Sequence, residues 1–94
     1  MQVLANVHSL ATTQNATAVI TSSRNTVDVS TAFAGLAMGG QQFLSNATTV
    51  ASDSRNIQTL QSKARSHGTI LGDGEAFMIL ATNGKKVLNN LNNP

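Results

Sequence analysis

The residues able to do acid–base or metal chemistry are few and scattered. His8 and His67 are the only histidines. Neither has a carboxylate or a second imidazole at the short, fixed spacing that a metal site needs. The carboxylates are Asp28, Asp53, Asp73 and Glu75. Nothing in the sequence brings a hydroxyl, a histidine and an acid together, so no nucleophile or general base can be assigned. The Gly72–Glu75 stretch alternates acid and glycine, but a calcium loop needs several more oxygen ligands in succession. Asp73 and Glu75 fit better as groups that cap and complement the start of a helix. No glycine-rich phosphate loop is present, no cofactor or metal is implied, and the expectation is a protein that is not an enzyme.

The cations suggest binding rather than reaction. Arg24 and Arg55 close two similar stretches, NATAVITSSRN over residues 15–25 and NATTVASDSRN over residues 46–56. A guanidinium can grip a phosphate or carboxylate through two hydrogen bonds, or pair locally with Asp28 or Asp53. Arg55, Lys63, Arg65, Lys85 and Lys86 make the C-terminal half weakly basic. With Arg24 they are the candidate anion-binding residues. A solvated face is the commoner meaning of such a run, and a dedicated nucleic-acid binder carries denser charge with stacking aromatics.

Composition narrows the class. The chain has 94 residues, enough for one domain, and no cysteine, so disulfides and thiolate metal sites are excluded. Only 11% of residues are charged, where roughly 25% is usual. Thr, Asn, Ser and Gln together supply 36 of the 94 residues. A surface of this kind repels its own copies weakly, which favours packing against them. No apolar run reaches the ~18–20 residues that cross a bilayer. The N-terminus lacks the pattern of a secretory signal, and the compartment is not defined.

The elements that must position these residues read mainly as helices. The two similar stretches stand 31 residues apart, and a weaker third copy is offset by 34. They divide the chain into units of about 5–35, 36–68 and 69–94 within a single domain. Phe43, Ala47, Val50, Ser54, Ile57 and Ala64 form one stripe at helical spacing. No Gly or Pro interrupts residues 1–34 or 41–67. The spacing therefore predicts long helices over 2–34, with a possible break at 22–24, and over 41–66. A shorter helix or hairpin follows over 75–90.

The competing reading is a small all-β hairpin repeat. It draws on the alternation through Val27, Val29, Thr31 and Phe33 and on the Asn83-Gly84 turn signal. Gly39-Gly40 reads as a turn, and Gly35 with Gly39 as a place where two backbones can approach closely. Phe33, Gly35, Gly39, Phe43, Val50, Ile57 and Phe77 are the expected contact residues. The functional expectation is a small structural or interaction protein that packs against copies of itself or a protein partner, in a filament, appendage, virion or secreted assembly. The alternative is a small nucleic-acid-associated protein using the basic half.

Overall fold

A computed structural model describes residues 10–92. Among them are five helical segments and no strand: α1 (Thr13–Ser22), α2 (Val29–Thr49), α3 (Ser54–Ser66), α4 (Asp73–Asn83) and α5 (Lys85–Asn92). The helical reading is correct in class. The expected pair of long helices and the all-β alternative are not. Residues 29–33 form the start of α2 and Val27 lies in the turn before it; Val27 is buried while Val29 is 57% exposed, so the alternation there lines no sheet face. His8 and the beginning of the first expected helix lie outside the described residues.

The first expected long helix is cut by side chains rather than by Gly or Pro. Thr12 opens α1, its hydroxyl accepting from the Asn15 N–H at 3.1 Å. At the other end Arg24 and Asn25 both take positive φ, 58° and 66°. Their N–H groups donate to the Thr21 and Ile20 carbonyls at 3.1 Å each, which closes the C-terminal cap usually built on glycine. Asp28 then opens α2 by accepting from the Thr31 N–H at 2.8 Å. The second expected helix is cut in the same way. Asp53 Oδ1 accepts from the Arg55 N–H at 2.9 Å, and Asn56 Nδ2 donates to the Val50 carbonyl at 2.9 Å. Ser, Asn and Asp side chains that compete for backbone groups do here what Gly and Pro do elsewhere.

The expected break at Gly39-Gly40 is present, as a kink between two helical arms of α2, residues 29–39 and 41–49. α2 runs through it with a kink at Gly40 (φ 59°, ψ −140°), a conformation open almost only to glycine. The same backbone state recurs at Gly84 (φ 62°, ψ −145°), where α4 stops and α5 begins. Asn83-Gly84 is thus a helix break and not a hairpin.

The recurrence at Gly40 and Gly84 is part of a larger one. Eleven helical residues precede each glycine, residues 29–39 and 73–83, and a second short helix follows each. Six residues, 23–28 and 67–72, separate each of these helices from the one before it. Both connections start with the same cap, whose left-handed residue is Arg24 in one and Gly68 in the other. The offset is 44 throughout. At that offset Ala32, Phe33, Leu36, Ala37, Gly40, Leu44 and Asn46 meet identical residues at 76, 77, 80, 81, 84, 88 and 90. The 31-residue repeat has no such counterpart. Its second halves differ in conformation, since Ser23-Arg24-Asn25 is a turn and Ser54-Arg55-Asn56 the first turn of α3. Its first boundary, at 35/36, falls inside α2.

α2 holds the structure together, with α1 packed on it and α4 beside it. α4 runs in the same direction as α2, because Gly74 near its start abuts Thr26 while Gly84 past its end abuts Asn46. α3 packs on α4, and α5 on both α3 and α4. The core comprises mainly small and aliphatic side chains with two phenylalanines. Ala32, Leu36 and Ala47 from α2, and Ala76, Leu80 and Ala81 from α4, are entirely buried. Phe77 is 1% exposed, and Val19 and Leu60 bring α1 and α3 onto the same core.

Two glycines set this geometry. A Cβ on Gly74 would overlap the Thr26 carbonyl oxygen, an atom fixed in the backbone. Gly74→Ala is expected to cost about 1–3 kcal/mol through overpacking. Gly40→Ala is expected to cost a similar ~1–3 kcal/mol through backbone strain. Urea unfolding followed by circular dichroism checks both. Alanine is otherwise the better helix former, so an unchanged midpoint would contradict the assigned role.

Candidate functional site

Each carboxylate of the chain is engaged locally. Asp28 and Asp53 cap helices, Glu75 Oε1 accepts from the Gly72 N–H at 3.0 Å, and Asp73 Oδ1 accepts from Gln61 Nε2 at 2.7 Å. The expected capping role therefore falls to Glu75 at the start of α4, with Asp73 as its first residue. His67 is the C-terminal cap residue of α3 and lies exposed. Among the described residues no three His, Cys, Asp or Glu side chains cluster as a metal site would require. Arg55 approaches Asp53 at 3.6 Å, but at an exposed position where such a pair is worth little.

Three surface features remain. The first is a polar crevice of about 160 Å³ where the turn after α1 meets the N-terminal ends of α3 and α4. Ser23, Arg24, Ser54, Gln58, Gln61 and Asp73 line it, so one end of each SRN triplet meets there. Ser23 is buried and already satisfied, donating to the Ile20 carbonyl at 2.7 Å and accepting from the Val27 N–H at 3.3 Å. Among the described residues no histidine lines the crevice to activate a hydroxyl.

The second is an apolar groove of about 420 Å³ between α2 and α4. Ala34, Gly35, Met38 and Gly39 form one wall, Met78 and Thr82 the other, and among the described residues no charged one borders it. Met38 is 86% exposed at its rim. The close approach expected at Gly35 and Gly39 occurs within the chain. A Cβ on Gly35 would overlap the Phe43 ring, and one on Gly39 would stand 2.6 Å from Phe43 Cβ. Both glycines thus seat Phe43, which is buried and forms the groove's floor.

Of the other expected contact residues, Val50 and Phe77 are buried in the core, while Phe33 and Ile57 are half-buried against it. Their helical stripe served the chain's own interior. Met38 and Met78 went unnoticed because a lone methionine in an alanine-rich helix looks like core.

The third is the outer face of α3. Arg55, Thr59, Ser62, Lys63 and Ser66 line a shallow depression of about 600 Å³. Ile57 and Leu60 turn the opposite way, onto the core. Arg65 is exposed on the same helix, and α5, which opens with Lys85 and Lys86, packs beside it. The structure brings five of the six candidate anion-binding residues onto two neighbouring helices. Arg24 stands apart in the crevice.

Asn15 and Asn46, each in an Asn-X-Thr pattern, both sit inside helices. Asn15 Nδ2 donates to the Leu10 carbonyl at 2.8 Å, and Asn46 packs against Gly84. No described helix is long and apolar enough to cross a membrane. Comparison of the chain with protein families, with characterised proteins and with solved structures finds no match.

Asp28 opens the central helix, and its hydrogen bonds with the side chain and backbone N–H of Thr31 hold its carboxyl below the ordinary value of 3.8. The unfolded chain therefore takes up that proton at a higher pH than the folded one. The stabilisation is present above pH 3.8 and is lost as pH falls through the lower folded value. Asp28→Asn keeps an acceptor at the cap, so thermal unfolding near neutral pH is expected to change little. The variant should lose part of the wild-type decline in stability below pH 3.8. An identical acid decline in both proteins would remove Asp28 from that account.

Proposed function

We propose that this chain is a non-catalytic packing subunit that associates with a second copy of itself through the groove between α2 and α4. The observation that carries the reading is the groove itself, an apolar, uncharged cleft with an almost fully exposed methionine on its rim. Met38 is a flexible apolar knob, and the small residues Ala34, Gly35 and Gly39 beside it leave a shallow hole. Knob and hole lie on one surface, so a two-fold pairing can satisfy both copies at once. The low charge of the chain removes the repulsion that would oppose such contact.

Magnitudes bound the strength of this contact. Burying a methionine side chain contributes about 1.5–3 kcal/mol, and a two-fold pair buries two. Association itself costs about 4–15 kcal/mol. The groove alone therefore gives a weak, concentration-dependent pairing. Such a contact suits a component of a larger assembly, where many copies are held close together, such as a filament, appendage, virion or secreted particle. The abundance of Ser, Thr, Asn and Gln is in keeping with a subunit whose surface is largely covered by neutral neighbours.

Sedimentation equilibrium over a concentration series reaching about 1 mM tests the proposal. The wild-type mass is expected to rise above 9.8 kDa as concentration increases. Met38→Glu places a charge on the rim, far from the core, and is expected to stay at 9.8 kDa with an unchanged helical spectrum. A wild-type monomer at every concentration would sink the reading. So would a Met38→Glu protein that associates as the wild type does.

A further inference from the structure

We infer that the outer face of α3, together with the start of α5, is a docking surface for the phosphodiester backbone of a nucleic-acid duplex. The 44-residue recurrence supplies an internal control on its charge. α1 and the part of α2 beyond Gly40 occupy in the first half the places that α3 and α5 occupy in the second. Neither carries a single charged residue. Their counterparts carry five of the chain's six cations and no carboxylate. The first-half helices form without charge, so helix formation alone does not demand the second-half cations. Nor are they solubility groups spread over the molecule, because they gather on two helices that touch.

The arrangement of α3 suits a polyanion. Arg55 lies in its first turn, Lys63 and Arg65 in its last, over a length of about 20 Å. Gln58 and Ser62 stand between them with donors for phosphate oxygens, while the Thr59 and Ser66 hydroxyls donate to the Arg55 and Lys63 carbonyls at 2.8 and 2.7 Å. Asp53 offsets little of this charge, as its pair with Arg55 is exposed and long.

The same face argues against other anionic partners. No aromatic side chain lies on it for bases to stack on, since Phe43 and Phe77 are buried and Phe33 sits in α2, so single strands gain little there. Nor does it bear an apolar stripe to enter a lipid surface. Ile70, in the loop beyond α3, is a lone exposed side chain. The contacts are to phosphates, so the surface reads shape and charge and not base sequence.

Fluorescence anisotropy of a short labelled DNA duplex, titrated with the full chain at several salt concentrations, tests this. Four cations, Arg55, Lys63, Arg65 and Lys86, give an expected log–log salt slope of about −3.6. That corresponds to a loss of affinity of roughly a hundredfold between 50 and 200 mM salt. R55Q/K63Q/R65Q is expected to reduce the slope to about −1 and to bind at least tenfold more weakly at 50 mM salt. R55K/K63R/R65K keeps the charge and should bind nearly as the wild type does. Circular dichroism of each variant verifies that α3 still forms, and a duplex of scrambled sequence should bind equally well.

Three results would each overturn the inference: no duplex binding at 50 mM salt, equal binding by R55Q/K63Q/R65Q, or binding to phosphatidylserine vesicles or single strands in preference to the duplex. Met38→Glu, altered on a different face, should leave duplex binding intact.

Discussion

An interior whose commonest residue is alanine brings the helices into close approach. With only three phenylalanines and no tryptophan or tyrosine, the chain cannot fill wide gaps with large side chains. The pairing of α2 and α4 is the response. Ala32 and Ala47 on one helix, and Ala76 and Ala81 on the other, are entirely buried, and Gly74 brings the start of α4 onto the Thr26 carbonyl. Close packing of small groups gains dispersion energy only where surfaces match closely. The remaining elements follow from this seam. α1 and α3 each cover one of its helices, and the two glycine kinks fit the trailing segments around it.

Much of this was legible in the residue order, but not all of its punctuation. Helix was the better reading because uninterrupted stretches with apolar spacing outweighed a single alternating run. The break expected at 22–24 is present, but the one at 50–53 carried no such signal, because the chain writes it with Asp53 and Asn56, whose side chains capture backbone groups only once the fold presents them. Arg24 is a sharper case: Asn25 is a type that tolerates the left-handed region, but nothing in an arginine announces a positive φ. The repeat shows the same effect. Matching polar strings drew the eye to an offset of 31, whereas the recurrence that shapes the backbone rests on Ala-Phe, Leu-Ala and single glycines 44 residues apart. Polar identities in a chain rich in Ser, Thr and Asn are cheap, while apolar and glycine identities bear on packing.

The candidate surfaces were legible to different degrees for a related reason. Charge on α3 survives as charge on a surface, so Arg55, Lys63 and Arg65 could be read directly. Apolar residues are ambiguous until the core has taken its share. Val50 and Phe77 went inside, Phe43 went to the floor of a cleft, and the exposed apolar role passed to Met38. The uncharged groove and the basic face are built from different helices, so contact at one leaves the other open.

The kink at Gly40 has a mechanical meaning. It divides α2 into two arms joined at one residue, and the α2 side of the groove draws on both: Ala34 and Met38 stand on the leading arm, Gln42 and Phe43 on the trailing one. The shape of that side therefore depends on the Gly40 dihedrals together with the packing of α2 against α4. An occupant that favours one bend would bind more tightly when that bend is held, and would itself favour it, by equal amounts of free energy in each direction.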